Sequence, residues 1–311
     1  MRNRFANKLT SIAKANDSVV LLSGDIGNRL FDHFKQEFSN RFYNCGVAEQ
    51  NMAGVAAGLA MQGFLPVIYT IAPFCTARCL EQIKIDIAYH NLPVTIVAVG
   101  AGFSYASLGP SHHSCDDIAF LRAIPNIRIL APADPEELSA TLDHVFTDPC
   151  PTYMRIGKKG EPILHKDQLL PSQISTLIKL AEGKDICLLS SGTIAGEVLK
   201  AKEILSKRGL RASVYSMPQI KPINEEAIFK ILGAYKFVAA VEEHSKIGGM
   251  TSAISDLIVD KRITNFNFFR FGTEDEFFER SGDQQFARDA MGISAEKIAK
   301  RILRELKRIK L

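Results

Sequence analysis

The chain has 311 residues, of which 46% are apolar and 23% are charged. This composition is typical of a soluble globular protein, and the length is sufficient for two packed cores. The formal net charge of only +4 argues against a polyanionic partner such as nucleic acid, and no apolar run approaches the roughly 18 residues of a membrane span.

Short runs rich in β-branched residues alternate with helical patterns along the chain. The strand candidates are residues 19–23, 65–71, 94–100, 127–130, 152–156, 186–190, 212–216, 237–241 and 265–270. The helical candidates are residues 51–61, 77–90, 135–145, 195–207 and 295–311. Several strand candidates are nearly unbroken apolar runs, which are typical of parallel strands covered on both faces. The alternation predicts an α/β protein with parallel sheets.

A polar stretch without periodicity divides the chain at residues 157–184. It is longer than most loops between packed elements. We therefore expect two α/β domains, residues 1–165 and 185–311, which are joined by a linker at residues 166–184.

The last helical pattern is basic on one side and apolar on the other. A nucleic-acid arm is one interpretation of this pattern. No aromatic residue lies between the cations, so we favour a helix whose apolar stripe docks on its own domain.

The six cysteines form no C-x-x-C pair, and the amino terminus lacks the apolar core of a signal peptide. We expect a cytoplasmic protein with reduced thiols. The adjacent His112 and His113 would point in different directions on a strand or helix, so we expect no metal site from them. GAGFSYASLG at residues 100–109 lacks the third glycine of a dinucleotide-binding motif.

Glu49 precedes a helical pattern made almost wholly of Ala, Gly, Val, Leu and Met, within NCGVAEQNMAGVAAGLAMQG at residues 44–63. A helix that is apolar on all sides belongs in the interior. A carboxylate beside it risks burial and then needs a partner. The simpler interpretation is that Glu49 only stabilises the helix amino terminus.

His112 and His113 lie in a Gly-, Pro- and Ser-containing loop before an amphipathic helix, within LGPSHHSCDDIAFLRAIPN at residues 108–126. Loop histidines on an α/β scaffold are candidates for hydrogen bonds to a polar substrate. The loop can also be a capping turn with Ser111 or Ser114 at the helix N-cap. Both interpretations can hold together.

The order of GVAEQNM, APF, EQI, GPSHH and LRAIPN resembles the pyrimidine-binding domain of transketolases and 1-deoxy-xylulose-5-phosphate synthases. PTYMRIGKKGEP resembles the end of that domain, and VEEHSKIGGMTSAI at residues 241–254 is similar to the C-terminal domain of the family. The resemblance covers essentially the whole chain. It implies a parallel-sheet domain followed by a smaller, mixed-sheet domain.

The resemblance also implies a thiamine-diphosphate enzyme that transfers a two-carbon ketol unit between sugars. Glu49 matches the glutamate that hydrogen-bonds the aminopyrimidine nitrogen N1′ and favours the imino tautomer of the ring. Phe74 matches the aromatic residue that stacks on this ring. Tyr69 is a weaker candidate for the wall of the pocket that holds this ring.

Substrate contacts follow from the same resemblance. His112 matches the histidine of the G-P-[ST]-H-Q motif, which contacts sugar oxygens, and His113 replaces the glutamine. Arg155 lies where relatives carry a substrate-phosphate arginine, and a surface arginine after the last strand is the alternative. Leu108 and Gly100 replace a polar aspartate and histidine, so a modified or nucleotide-linked acceptor sugar remains open.

Full-length transketolases begin with a domain that holds the diphosphate and Mg²⁺ through a GDG…N motif. GDIGN at residues 24–28 is superficially similar but lies in the loop after the first strand candidate, and the resemblance to the pyrimidine-binding domain starts near residue 1. We therefore expect a separate N-terminal transketolase-type subunit that carries the Mg²⁺ and diphosphate site, in an α2β2 assembly. The alternatives are a subunit similar to deoxyxylulose-phosphate synthase or to 2-oxo-acid dehydrogenase E1β, and a non-catalytic scaffold.

Overall fold

The computed structural model describes residues 1–309, and strands and helices alternate through them. The strands are β1 (Val19–Ser23), β2 (Phe42–Asn44), β3 (Leu65–Ile71), β4 (Thr95–Val99), β5 (Arg128–Leu130), β6 (Thr152–Ile156), β7 (Ile178–Ala181), β8 (Ile186–Ser191), β9 (Ala212–Ser216), β10 (Gln219–Lys221), β11 (Phe237–Ser245) and β12 (Asn267–Thr273). The helices are α1 (Arg2–Ala15), α2 (Asp32–Glu37), α3 (Glu49–Met61), α4 (Ala72–Cys75), α5 (Leu80–Gln82), α6 (Asp117–Arg122), α7 (Pro135–Thr147), α8 (Ala195–Ser206), α9 (Glu225–Ala234), α10 (Met250–Asp260), α11 (Gln284–Ala290) and α12 (Ala295–Arg308).

The first sheet has the order β10-β5-β6-β4-β3-β1-β2, and only the pair of β10 and β5 is antiparallel. Strands β1 and β4 are buried along their whole length, as their apolar sequences predict. Phe5, Phe34 and Leu138 of α1, α2 and α7 cover one face. Met52 of α3 and Ile118 of α6 belong to the core on the other face.

The second sheet has the order β12-β11-β8-β9-β7, in which only β7 is antiparallel to its neighbour. Val198 and Ile298 of α8 and α12 pack on one face. Ile228 and Ile254 of α9 and α10 belong to the same apolar cluster as α3 of the first domain. The prediction of an α/β protein with a mostly parallel sheet and then a mixed sheet is confirmed.

Three short edge strands were not predicted. Strand β2 lies at the edge of the first sheet beside β1. Strand β7 lies inside the stretch predicted as a linker, at residues 166–184, and joins the second sheet. Strand β10 pairs with β5 of the first sheet although it follows β9 of the second. Strands of three or four residues carry too little periodicity to be recognised, and their pairing partners define them.

Two helical predictions differ from the structure in detail. The pattern at residues 77–90 is divided into a 3₁₀ turn, α5 and the π-helical segment Ile83–Ala88. The pattern at residues 295–311 corresponds to α12, which ends at Arg308, and residues 310 and 311 lie outside the described part. Helix α12 buries Ile298 and Ile302, as the docked interpretation predicts. Within residues 1–309, no helix has the length and apolar character to cross a membrane.

Candidate active site

Three of the predicted site residues follow parallel strands of the first sheet. Glu49 begins α3 after β2, Phe74 lies in α4 directly after β3, and His112 lies in the loop after β4. Ligands of open parallel sheets bind at the carboxyl ends of the strands, and these residues are at that edge.

Glu49 is only 2% exposed. Its Oε2 accepts a hydrogen bond of 2.6 Å from Nη1 of Arg78, whose side chain is 40% exposed. The other walls around the carboxylate are apolar and include Met52, Ile83 and Ile96. Because a buried carboxylate needs a partner, Arg78 compensates its charge in this chain.

The ring of Phe74 is covered by Arg78 and touched by His112. The Arg78 guanidinium carbon lies 4.2 Å from the Phe74 ring centroid, in a cation–π contact. The His112 ring meets the edge of Phe74 at a centroid distance of 5.1 Å and an angle of 72°. Glu49, Arg78, Phe74 and His112 therefore form one continuous line of contacts.

His112 ends a 3₁₀ turn and is half-buried. Its Nδ1 lies 3.0 Å from Oγ of Ser111, and its ring centroid lies 6.2 Å from that of Tyr105. Burial, and then the neighbouring His113, lower the pKa of His112 below 6.5. The ring is therefore neutral at pH 7 and can both donate and accept a hydrogen bond.

His113 is buried and points away from this line. Its Nε2 lies 3.1 Å from the carbonyl oxygen of Ala106, and its ring packs against Phe103 and Phe278 at centroid distances of 5.2 and 5.8 Å. This position supports the loop and does not fit the predicted direct contact of His113 with substrate.

The serine capping turn is not formed. The N-cap residue of α6 is Asp116, and no side chain makes the capping hydrogen bond. Ser111 instead contacts His112, and Ser114 pairs through its backbone with Gly102.

Tyr69 lies on the other face of the sheet from Glu49. Its side chain is fully buried, stacked on Phe5 at 5.4 Å and edge-on to Phe31 at 4.9 Å. Successive strand residues point to opposite faces, so Ile68 of β3 faces α3 and Tyr69 faces α1. This position does not fit the predicted place of Tyr69 beside Phe74 in the cofactor wall.

Arg155 is 4% exposed and lies inside β6. Its Nε is 3.1 Å from Oδ2 of Asp117, and its Nη2 donates to the carbonyl oxygens of Ser114 and Glu243. The surface alternative is therefore wrong, because both faces of β6 are covered. The buried guanidinium is already occupied by these contacts within the protein. This arrangement does not fit the predicted contact of Arg155 with a substrate phosphate.

Arg78 is the site residue that the sequence predictions missed. It lies four residues after Phe74, in the 3₁₀ turn Ala77–Cys79 that follows α4. A cation at that spacing from a candidate stacking residue was the available signal.

Two family models match nearly the whole chain. Residues 1–160 match the model "Transketolase, pyrimidine binding domain", and residues 176–298 match "Transketolase, C-terminal domain". The chain belongs to the transketolase family, whose members use thiamine diphosphate.

Named relatives and a solved structure are similar over almost their full length. A chain of Methanocaldococcus jannaschii, provisionally named a transketolase C-terminal section, is 36% identical over 99% of this chain and 96% of its own. One of the apulose-4-phosphate transketolase subunits of Actinobacillus succinogenes is 33% identical over 93% of each chain. A structure titled "Split gene transketolase, inactive beta4 tetramer" superposes with a TM-score of 0.88, at 29% identity and 98% coverage of both chains.

The site fits one end of thiamine diphosphate. A buried carboxylate and an aromatic ring face suit a planar heterocycle that hydrogen-bonds through a ring nitrogen. No group of three or more His, Cys, Asp or Glu side chains in residues 1–309 is arranged to hold a metal ion.

Proposed function

We propose that this chain is the pyrimidine-binding subunit of a two-subunit, thiamine-diphosphate-dependent transketolase of cytoplasmic carbohydrate metabolism. Such an enzyme transfers a two-carbon ketol unit between sugars. The observation that carries the proposal is the buried Glu49, which Arg78 links to the ring of Phe74. The relatives that are named as a separate subunit or section support the division into two chains.

Glu49 and Phe74 would hold the aminopyrimidine ring. When bound, thiamine diphosphate supplies an electron sink for breaking and forming the carbon–carbon bond next to a carbonyl group. Glu49 would hold the proton at N1′, and its hydrogen bond would be strong because the surrounding walls are apolar. Phe74 would stack on the ring once Arg78 leaves its face.

His112 would contact the sugar. Its ring contacts the ring of Phe74, and in its neutral form it offers one donor and one acceptor. These properties suit the hydroxyl and carbonyl oxygens of a ketose. The identity of the donor and acceptor sugars is left to a substrate screen.

An apolar face around α3 is proposed to receive the partner subunit. Val55 and Met61 of α3 are 43% and 55% exposed, and Ile85 and Tyr89 on the segment packed against α3 are 47% and 75% exposed. A Cβ atom at Gly58 would meet nothing within 4 Å, so a neighbouring backbone can approach α3 closely there. The partner, an N-terminal transketolase-type subunit, would hold the diphosphate and Mg²⁺ in an α2β2 assembly.

The test is reconstitution with that subunit. Glu49→Gln keeps the shape of the side chain but cannot hold the proton at N1′, so we expect turnover to fall by about 10³-fold while the circular dichroism spectrum is unchanged. Glu203→Gln, at an exposed glutamate of α8, is the matched control and should keep full activity. Wild-type turnover by the Glu49→Gln enzyme would refute the proposal.

The same reconstituted enzyme distinguishes the alternatives. Ketoses, sugar phosphates and nucleotide sugars would be screened as donors and acceptors, and pyruvate would be tested as a donor. Release of CO₂ from pyruvate without ketol transfer would point to a synthase-like or dehydrogenase-like subunit. Absence of turnover with every substrate would point to a scaffold.

A further inference from the structure

The histidine loop, residues 102–114, carries His112 and is closed at its base. Gly102 and Ser114 form an antiparallel bridge, in which Gly102 N donates to Ser114 O at 3.0 Å and Ser114 N donates to Gly102 O at 2.9 Å. Two 3₁₀ turns follow inside the loop and end at Leu108 and His112. The position of His112 therefore depends on how this base is held.

Glu243, from β11 of the second domain, reaches the base of the histidine loop. It is 4% exposed, and its Oε1 accepts hydrogen bonds from Phe103 N at 2.8 Å and from Gln284 Nε2 at 2.9 Å. Its Oε2 accepts two hydrogen bonds from Arg288, at 2.6 and 2.9 Å. Charge-assisted hydrogen bonds of this kind fix both oxygens of the carboxylate.

Gly102 lies directly against the side chain of Glu243. Its φ angle of +59° lies in the left-handed region, and a Cβ atom there would overlap the side chain of Glu243. Because Arg288 and Gln284 hold Glu243, the carboxylate cannot simply turn aside. The loop and the second domain therefore fit together only when residue 102 has no side chain.

We propose that Glu243 is a positioning residue through which the second domain fixes the histidine loop and so places His112. The consequence for catalysis rests on the proposed function of His112. The anchoring itself does not, because it is a property of this chain alone. It gives the second domain a role in the site although none of the proposed cofactor contacts comes from that domain.

The first test compares two adjacent buried glutamates of β11. Glu243→Asp keeps the charge for Arg288 but withdraws the carboxylate from Phe103 N. Glu242→Asp is the matched control, because Glu242 is 1% exposed and its hydrogen bonds go to Met250 N and Thr251 N of its own domain.

Hydrogen–deuterium exchange of the full chain is the readout. Peptides that span residues 103–113 should exchange about tenfold faster in Glu243→Asp, since an amide that loses its acceptor opens more readily. They should match the wild type in Glu242→Asp. Equal protection of this loop in the Glu243→Asp and wild-type chains would overturn the proposal.

A second variant disrupts the contact between Glu243 and the histidine loop by a change in the loop itself. It tests the anchoring even if Glu243→Asp does not fold. Gly102→Ala should loosen the same peptides by pushing on Glu243. Gly209→Ala carries a similar backbone strain, with φ of +81° and no atom within 4 Å of the new Cβ, and should leave them unchanged. Unchanged exchange in Gly102→Ala would contradict the proposal.

The catalytic consequence has its own readout in the assembled enzyme. Misplacement of His112 in Glu243→Asp should lower kcat/KM for the sugar by about 10–100-fold, while the Kd for thiamine diphosphate stays within about twofold of the wild type. Equal losses in both quantities would indicate general damage and refute a positioning role. If the reconstituted wild type has no activity, the proposed function fails. The hydrogen–deuterium exchange of the chain alone still tests whether Glu243 anchors the histidine loop.

Discussion

Arg78 makes the two contacts that the aminopyrimidine ring of the proposed cofactor would also make. Its guanidinium is planar, hydrogen-bonds Glu49 at 2.6 Å and lies 4.2 Å from the ring centroid of Phe74. It is 40% exposed, so it can move away without unpacking the core. A cofactor that enters must displace it.

Arg78→Met should therefore tighten thiamine diphosphate binding by the assembled enzyme. The variant removes a partly exposed ion pair and a cation–π contact that compete with the cofactor. Their loss should increase the affinity for thiamine diphosphate roughly tenfold. Titration calorimetry measures this change. Arg41→Met is the matched control, because Arg41 stacks on Phe38 at 4.1 Å at a distant site. Weaker binding by Arg78→Met would mean that Arg78 holds the cofactor rather than competes with it.

The lowered pKa of His112 predicts the pH dependence of substrate use. Burial and His113 keep the ring neutral above a pKa that lies below 6.5. If the neutral ring is the form that accepts a hydrogen bond from the sugar, kcat/KM should rise with pH through that value and level off by about pH 7. His112→Gln should remove this inflection. A profile that still rises above about pH 7.5 would contradict the assignment.

At the scale of elements, a buried cluster ties residues 164 and 165, at the end of the predicted first domain, to the amino terminus of α7. Asp134 caps α7 by accepting from Glu136 N and Glu137 N, and its Oδ2 accepts from Leu164 N and His165 N. The His165 ring lies between two carboxylates, with Nδ1 3.1 Å from Asp134 and Nε2 3.4 Å from Glu137.

Near neutral pH, Glu137 and His165 bind protons more tightly in the folded chain than in the unfolded chain. Burial raises the pKa of Glu137 from 4.5 to about 7. Burial lowers the pKa of His165, but the neighbouring carboxylates of Asp134 and Glu137 outweigh it and raise the pKa above 6.5. Groups with raised pKa values stabilise the folded state at low pH, and this stabilisation is lost as the pH rises through the folded-state values.

The free energy of unfolding should therefore fall between about pH 5 and pH 8, by on the order of 3 kcal/mol. Glu137→Gln imitates the protonated carboxyl group and should flatten this fall. Asp143→Asn, at a partly exposed position of the same helix, should leave it unchanged. Urea denaturation across this pH range measures the effect, and an equal slope in wild type and Glu137→Gln would refute the explanation.

At the scale of the whole molecule, the apolar face around α3 predicts how assembly can be blocked. Val55→Glu places a charge at a position that is 43% exposed in the chain and central to the proposed interface. The fold should be unaffected, while burial of an unpaired charge should weaken association with the partner by about 100-fold or more. Val259→Glu is the control, since Val259 is 72% exposed on α10 of the other domain. Sedimentation velocity distinguishes the two, and normal assembly of Val55→Glu would exclude this face.

Much of the fold followed from local patterns. The strands β1, β3, β6 and β9 have the predicted bounds, because short apolar runs rich in β-branched residues are typical of strands buried in a sheet. Glu49, Phe74 and His112 were predicted from ordered motifs, and the structure brings them to one edge of the sheet. A motif fixes the position of a residue in the chain, and parallel strand order then places such residues together.

Tertiary packing decided what local patterns could not. Side chains alternate between the two faces of the sheet along β3, and Tyr69 therefore points away from the site. Because β6 is covered on both faces, Arg155 is buried between the two domains, where it contacts Asp117 and Glu243. The sequence determined which strands and helices form and which motifs they carry, because these depend on neighbours in the chain. Only the folded structure decided that Arg78 pairs with Glu49 and that Glu243 holds the loop of His112, because those contacts join residues that are far apart in the chain.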